Sequence, residues 1–111
     1  MKKLDLKYPQ CPIRNVLSRI SDKWSLLILC SLQANGKMRY KELMNAIPDI
    51  SQKMLTNTLK KLEEDHLLTR KAYPEVPPRV EYSLTEMGEG LMPTIQIMIE
   101  WGQVHFEEFT K

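Results

Sequence analysis

Cysteine is scarce in this chain: Cys11 and Cys30 are the two present in 111 residues. Two thiols do not make the disulfide framework of a small secreted protein. Glycine is also thin, with four residues, and none forms a phosphate-cradling loop or a nucleophile elbow. The histidines, His66 and His105, lie far apart, and neither sits at metal-ligand spacing from a partner. These absences argue against an enzyme, a metal site or a bound cofactor. No run of about 18 apolar residues occurs, so no transmembrane helix is expected. The opening Met1-Lys2-Lys3-Leu4-Asp5-Leu6 lacks the apolar segment of a signal peptide. A cytoplasmic protein with no membrane partner is the expectation.

What is present is a soluble globular composition, 42% hydrophobic and 27% charged, in one domain spanning 1–111. The net charge of +2 hides a division. Residues 1–36 carry six Lys/Arg against two Asp/Glu, and residues 37–79 carry nine against six. Residues 80–111 carry one against six. A polyanion would be drawn to the first two parts and repelled by the third. Chance clustering would give the same counts, so charge alone decides nothing.

The most informative stretch is Ser51 to His66. Leu55, Leu59 and Leu62 recur at helical spacing and share a face. Gln52, Lys53, Thr56, Asn57 and Lys60 fall opposite, and these are side chains that hydrogen-bond base edges or neutralise phosphates. The acids Glu63, Glu64 and Asp65 are held to the far end. Ahead of it, Tyr40 to Ile47 reads as a short helix stopped by Pro48, and Ser51 is a good N-cap for the next. Two helices with about four residues between them form a helix-turn-helix, here 40–66. An ordinary helical hairpin has the same outline.

Residues 1–10 read as a loose arm, with Tyr8-Pro9 extended. Pro12 opens a helix to Ile20 whose stripe is Ile13, Val16, Leu17 and Ile20. Ser21 or Asp22 caps a second, whose segment Lys23 to Leu32 is apolar nearly all round and so read as a buried spine; Asn35-Gly36 ends it and forms a turn. Lys37-Met38-Arg39 offers a very short strand. Two strands, Leu67 to Tyr73 and Arg79 to Leu84, flank the stiff loop Pro74-Glu75-Val76-Pro77-Pro78. A hairpin at 67–84 directly after a helix-turn-helix is a wing. The fold class is therefore mainly α with a small β-hairpin wing (α+β). Arg79 reaches DNA from the wing base, or is a solvated strand-end charge.

Thr85 caps the last helix, 85–111, with a kink expected near Pro93. It carries two apolar stripes: Leu91, Ile95, Met98, Gly102, Phe106 and Phe109, then Ile97, Trp101 and Val104. One stripe satisfies a small domain, and the surplus points to a second copy of the chain, with Trp101 and Phe106 as anchors. Ile13, Leu17 and His105 complete that expected dimer surface. Alternatively, both stripes wrap the chain's own core.

The combined motifs resemble the HxlR-type helix-turn-helix regulators, a bacterial and archaeal branch related to the multiple-antibiotic-resistance repressors. The resemblance is carried by Cys11-Pro12, Asp22-Lys23-Trp24, Arg39-Tyr40-Lys41-Glu42-Leu43 and Ile50-Ser51-Gln52-Lys53-Met54-Leu55. It continues through Leu59, Glu63, Leu67 and Arg70, then Pro77-Pro78-Arg79-Val80-Glu81-Tyr82-Ser83-Leu84-Thr85, Gly88 and Trp101. It implies a winged-helix homodimer that binds double-stranded operator DNA and represses or activates neighbouring genes. Some members of the family sense oxidants or electrophiles through an N-terminal cysteine, and Cys11 matches that place. Its position at a helix N-terminus, with Arg14 nearby, favours a reactive thiolate, whereas a packed thiol would be inert. Cys30, mid-helix, reads as buried.

The expectation is a sequence-specific, homodimeric transcriptional repressor responding to a small-molecule or redox signal. Ser51, Gln52, Lys53, Thr56 and Asn57 would face the groove, and Lys37, Arg39, Tyr40, Lys41, Lys60 and Arg79 would hold its walls. The alternatives are a winged-helix protein-interaction module without DNA, and a thiol-switch repressor acting through Cys11.

Overall fold

The structure is a computed structural model that describes residues 6, 7 and 11–111. The arm expected at 1–10 lies outside the described residues, apart from a turn at Leu6 and Lys7.

Helix α1 (Pro12–Ile20) starts where expected, with Pro12 at a position that needs no N–H. Its stripe is less covered than the spacing predicts. Ile13 and Ile20 are half-buried, while Val16 and Leu17 stay 45% and 49% exposed. Helix α2 (Lys23–Asn35) stops at Gly36, where the Asn35-Gly36 signal predicts its end, and the φ of +75° there suits a residue without Cβ. Its burial is one-sided rather than all round. Ser25, Ile28, Leu29 and Leu32 are buried, whereas Leu27 is exposed.

Helix α3 (Tyr40–Ala46) and helix α4 (Gln52–Glu64) form the helix-turn-helix. The Arg39 N–H donates to Glu42 at 2.8 Å, and the Ser51 hydroxyl accepts from the Met54 N–H at 3.0 Å, so both helix starts are capped. Sequence reasoning ran α4 to His66. The helix instead ends at Glu64, and His66 takes a left-handed φ of +63°. The His66 N–H then reaches the Glu63 carbonyl and the Leu67 N–H reaches Leu62, both at 3.0 Å. That is a Schellman close, made here by a residue other than glycine.

Strands β1 (Leu68–Tyr73) and β2 (Arg79–Leu84) pair antiparallel, from Leu68 opposite Leu84 to Tyr73 opposite Arg79. The short strand expected near Lys37 is a single bridge, Met38 to Tyr82, with N–H···O distances of 2.9 and 2.8 Å. It stitches the entry of the helix-turn-helix to the wing. Helix α5 (Glu86–Val104), capped by Thr85, runs through Pro93, and α6 (Phe106–Phe109) follows His105. The tail is thus two helices where the sequence suggested one.

Helix α2 lies against α4, α5 and β2. The core is built from Ile28, Leu29 and Leu32 of α2, Leu43 of α3, Leu55, Leu59 and Leu62 of α4, and Met92 and Ile95 of α5. Each fully buried leucine contributes about 1.5–3 kcal/mol over an exposed one. The apolar face of α4 thereby sets which way its polar face points.

Candidate nucleic-acid interface

With Leu55, Leu59 and Leu62 turned inward, Gln52, Lys53, Thr56, Asn57 and Lys60 are all exposed on the other side of α4. Lys37, Arg39 and Lys41 are exposed on the approach to it. Ser51 is exposed too, but its hydroxyl is committed to capping. Tyr40 is half-buried, and its hydroxyl donates to the Gln52 carbonyl and bonds the Thr56 hydroxyl, each at 3.0 Å. It therefore holds the first turn of α4 against α3.

The rear of α4 is tied down separately. Lys61 donates to Asp22 at 2.7 Å, and Asp22 also caps α2 through the Ser25 N–H at 3.0 Å. Burial opposes ionisation of Asp22, but the hydrogen bonds from Lys61 and Ser25 outweigh it and bring its pKa down to about 2. Asp65 pairs with Arg19 of α1, which is also held by Asn15. Positive charge at the front of α4 is thus left free, while Lys61 at the rear is neutralised within the fold.

Arg79 is engaged within the wing. Its guanidinium lies 3.9 Å from the centre of the Tyr73 ring and 3.3 Å from Glu75. These contacts stiffen the wing base and hold the guanidinium in one place. Exposed cations of the wing that sequence reasoning passed over are Arg70 and Lys71. Arg70 lines a groove of about 330 Å³ with Tyr40, Thr56, Lys60 and Tyr82. The signal was available in the strand pattern, because Arg70 pairs with Tyr82 across the hairpin.

The expected dimer residues divide. Ile95 is 3% exposed and packs in this chain's own core, so it is withdrawn from the surface set. Its stripe begins on the core side and leaves it one turn later. Leu91 and Gly102 are half-buried, while Met98, Trp101, Phe106 and Phe109 are exposed, together with Ile97 and Val104. His105 stacks on Trp101 at 4.5 Å, and Phe109 meets the same ring edge-on at 5.5 Å. Ile13 is half-buried and Leu17 exposed on α1.

Cys11 is buried, at 5% exposure, as the N-cap residue of α1. Cys30 is half-buried, not fully enclosed, and burial pushes its thiol pKa up. Among the described residues no cluster of three or more His, Cys, Asp or Glu could hold a metal ion. None of the described helices is long and apolar enough to cross a membrane.

These features agree with comparisons to known proteins. The model of HxlR-like helix-turn-helix proteins matches residues 19–110. The chain is 45% identical over 95 residues to an uncharacterized HTH-type transcriptional regulator of Methanothermobacter thermautotrophicus, covering 86% of this chain and 72% of that one. The structure of ytfH from Salmonella typhimurium superposes with a TM-score of 0.82 at 36% identity, over 97% of this chain and 96% of that one. The redox regulator HypR in its reduced form gives 0.83 at 38% identity, over 89% and 97% respectively. The winged helix-turn-helix and these likenesses together place the chain in the family of HxlR-like helix-turn-helix transcriptional regulators.

Proposed function

We propose that the protein is a sequence-specific duplex-DNA-binding repressor that works as a homodimer in the cytoplasm. The observation that carries this reading is the exposed face of α4, where Gln52, Lys53, Thr56, Asn57 and Lys60 stand together above a fully buried leucine face. Gln52, Lys53, Thr56 and Asn57 would meet base edges, and Lys37, Arg39, Lys41 and Lys60 would meet phosphates. The exposed Met98, Trp101, Phe106 and Phe109 would pair two chains. Two copies of α4 would then enter successive major grooves, roughly 34 Å or a small multiple apart. A small-molecule or redox signal would act by changing their spacing or tilt.

Selecting bound duplexes from a random pool tests both halves of this reading. A palindromic site is the expected outcome, because it reports base reading and two-fold pairing together. A chain that stays monomeric at micromolar concentration and retains no duplex at low salt would instead be a protein-interaction module.

A thiol switch at Cys11 is the second reading, supported by the likeness to HypR, a redox regulator with both reduced and oxidised structures. Cys11 is buried, so the α1 end must open before oxidant reaches it. Band shifts with and without mild oxidant, in wild type and Cys11→Ser, decide it. Oxidant-dependent release that Cys11→Ser abolishes supports the switch, and equal response in both proteins removes it.

A further inference from the structure

The Tyr40 hydroxyl stands where α3 meets α4, 3.0 Å from the Gln52 carbonyl oxygen and 3.0 Å from the Thr56 hydroxyl. A phenol carries one proton to donate. The Gln52 carbonyl can only accept, so for this contact to be a hydrogen bond the Tyr40 proton goes there. The bond between Tyr40 and Thr56 must then use the Thr56 proton, with the phenol oxygen accepting. Thr56 is exposed on the same side of α4 as Gln52, Lys53, Asn57 and Lys60.

We infer that Tyr40 is a specificity-setting positioning residue: by taking the Thr56 proton, it leaves Thr56 with lone pairs alone to present to DNA. A threonine hydroxyl ordinarily turns to suit either a donor or an acceptor, so it discriminates poorly between base edges. Locked as an acceptor, Thr56 favours an edge carrying an amino group, adenine N6 or cytosine N4. It disfavours the acceptor oxygens of guanine and thymine. A helical threonine also has an outlet of its own, the carbonyl four residues back. In this chain that carbonyl belongs to Gln52, whose two lone pairs are taken by the Thr56 N–H of the helix and by Tyr40. The lock is therefore built across two helices, from residues 16 positions apart.

This inference rests on the reading of α4 as the base-contacting helix, and the test separates the two. Bound duplexes are selected from a random pool with the full-length chain as wild type, Tyr40→Phe and Thr56→Val. Wild type is expected to enrich A or C at one position of the contacted strand. Tyr40→Phe should admit G or T there by about two- to tenfold, the worth of one hydrogen bond, with other positions unchanged. Thr56→Val should flatten the same position. A Tyr40→Phe protein that weakens on all sequences alike, or that alters a different position from Thr56→Val, overturns the lock while leaving α4 as the reader. Wild type that selects no sequence overturns the reading of α4, and the lock with it.

Discussion

In α4 every leucine is hidden: Leu55, Leu59 and Leu62 are 0%, 2% and 0% exposed. In the second half of α5, Ile97, Met98, Trp101 and Val104 are all more than half exposed. Both helices are amphipathic, but α4 keeps its apolar side within the chain and α5 does not. Apart from Met54, the first half of α4 leaves polar and cationic side chains uncovered, which suits a hydrated polyanion. What α5 leaves uncovered is apolar, which suits another apolar surface. The contrast also follows charge, since residues 80–111 hold one Lys/Arg against six Asp/Glu. The exposed face of α4 suits DNA, and the acidic tail would be repelled by it.

The contrast can be broken most forcefully at Leu55. Leu55→Ala should cost about 2–5 kcal/mol and lower the urea midpoint accordingly. An unchanged midpoint would mean the α4 leucines do not hold the fold. Next in size is Trp101→Ala. It should weaken self-association by about thirtyfold or more by sedimentation, about 2 kcal/mol for a central aromatic anchor, while helicity is kept. A loss of helicity instead would place Trp101 in the fold rather than in a partner surface.

A smaller effect belongs to Asp22→Ala, which removes a cap and costs about 0.5–2 kcal/mol. Asp22 ionises in the folded chain at about 2, below its ordinary 3.8. Its contribution is therefore full above about 3.8 and fades as pH falls toward 2. The stability gap between wild type and Asp22→Ala should narrow as pH falls through that window, and a constant gap would contradict the Lys61 pairing. Smallest is Lys60→Ala, which should lower the salt dependence of DNA binding by about one unit of slope. The tail variant Glu107→Gln should leave that slope unchanged.

The α4 pattern was legible because helical spacing alone separates Leu55, Leu59 and Leu62 from Gln52, Lys53 and Asn57. The wing was legible from its alternating strand and its prolines. Ties between distant residues were not. Lys61 finds Asp22 across 39 positions, and Tyr40 finds Thr56 across 16, with no periodicity to announce either. Ile95 was misplaced because a stripe records which residues share a face but not where along it the core stops. The contacts of Arg79 were not legible, because its partners Tyr73 and Glu75 meet it only after the hairpin has closed. The break at His105 has no glycine or proline to mark it.

The junction after α4 has its own consequence. The Leu67 carbonyl accepts the Thr85 N–H at 3.1 Å, and the Thr85 hydroxyl donates to the His66 carbonyl at 2.7 Å and accepts the Gly88 N–H at 2.9 Å. A Cβ at Gly88 would stand 2.1 Å from that same Leu67 oxygen, so the backbones meet with nothing compressible between them. The exit of α4 and the entry of α5 are in effect one rigid knuckle. The start of α5 therefore cannot shift relative to the end of α4 without breaking these bonds.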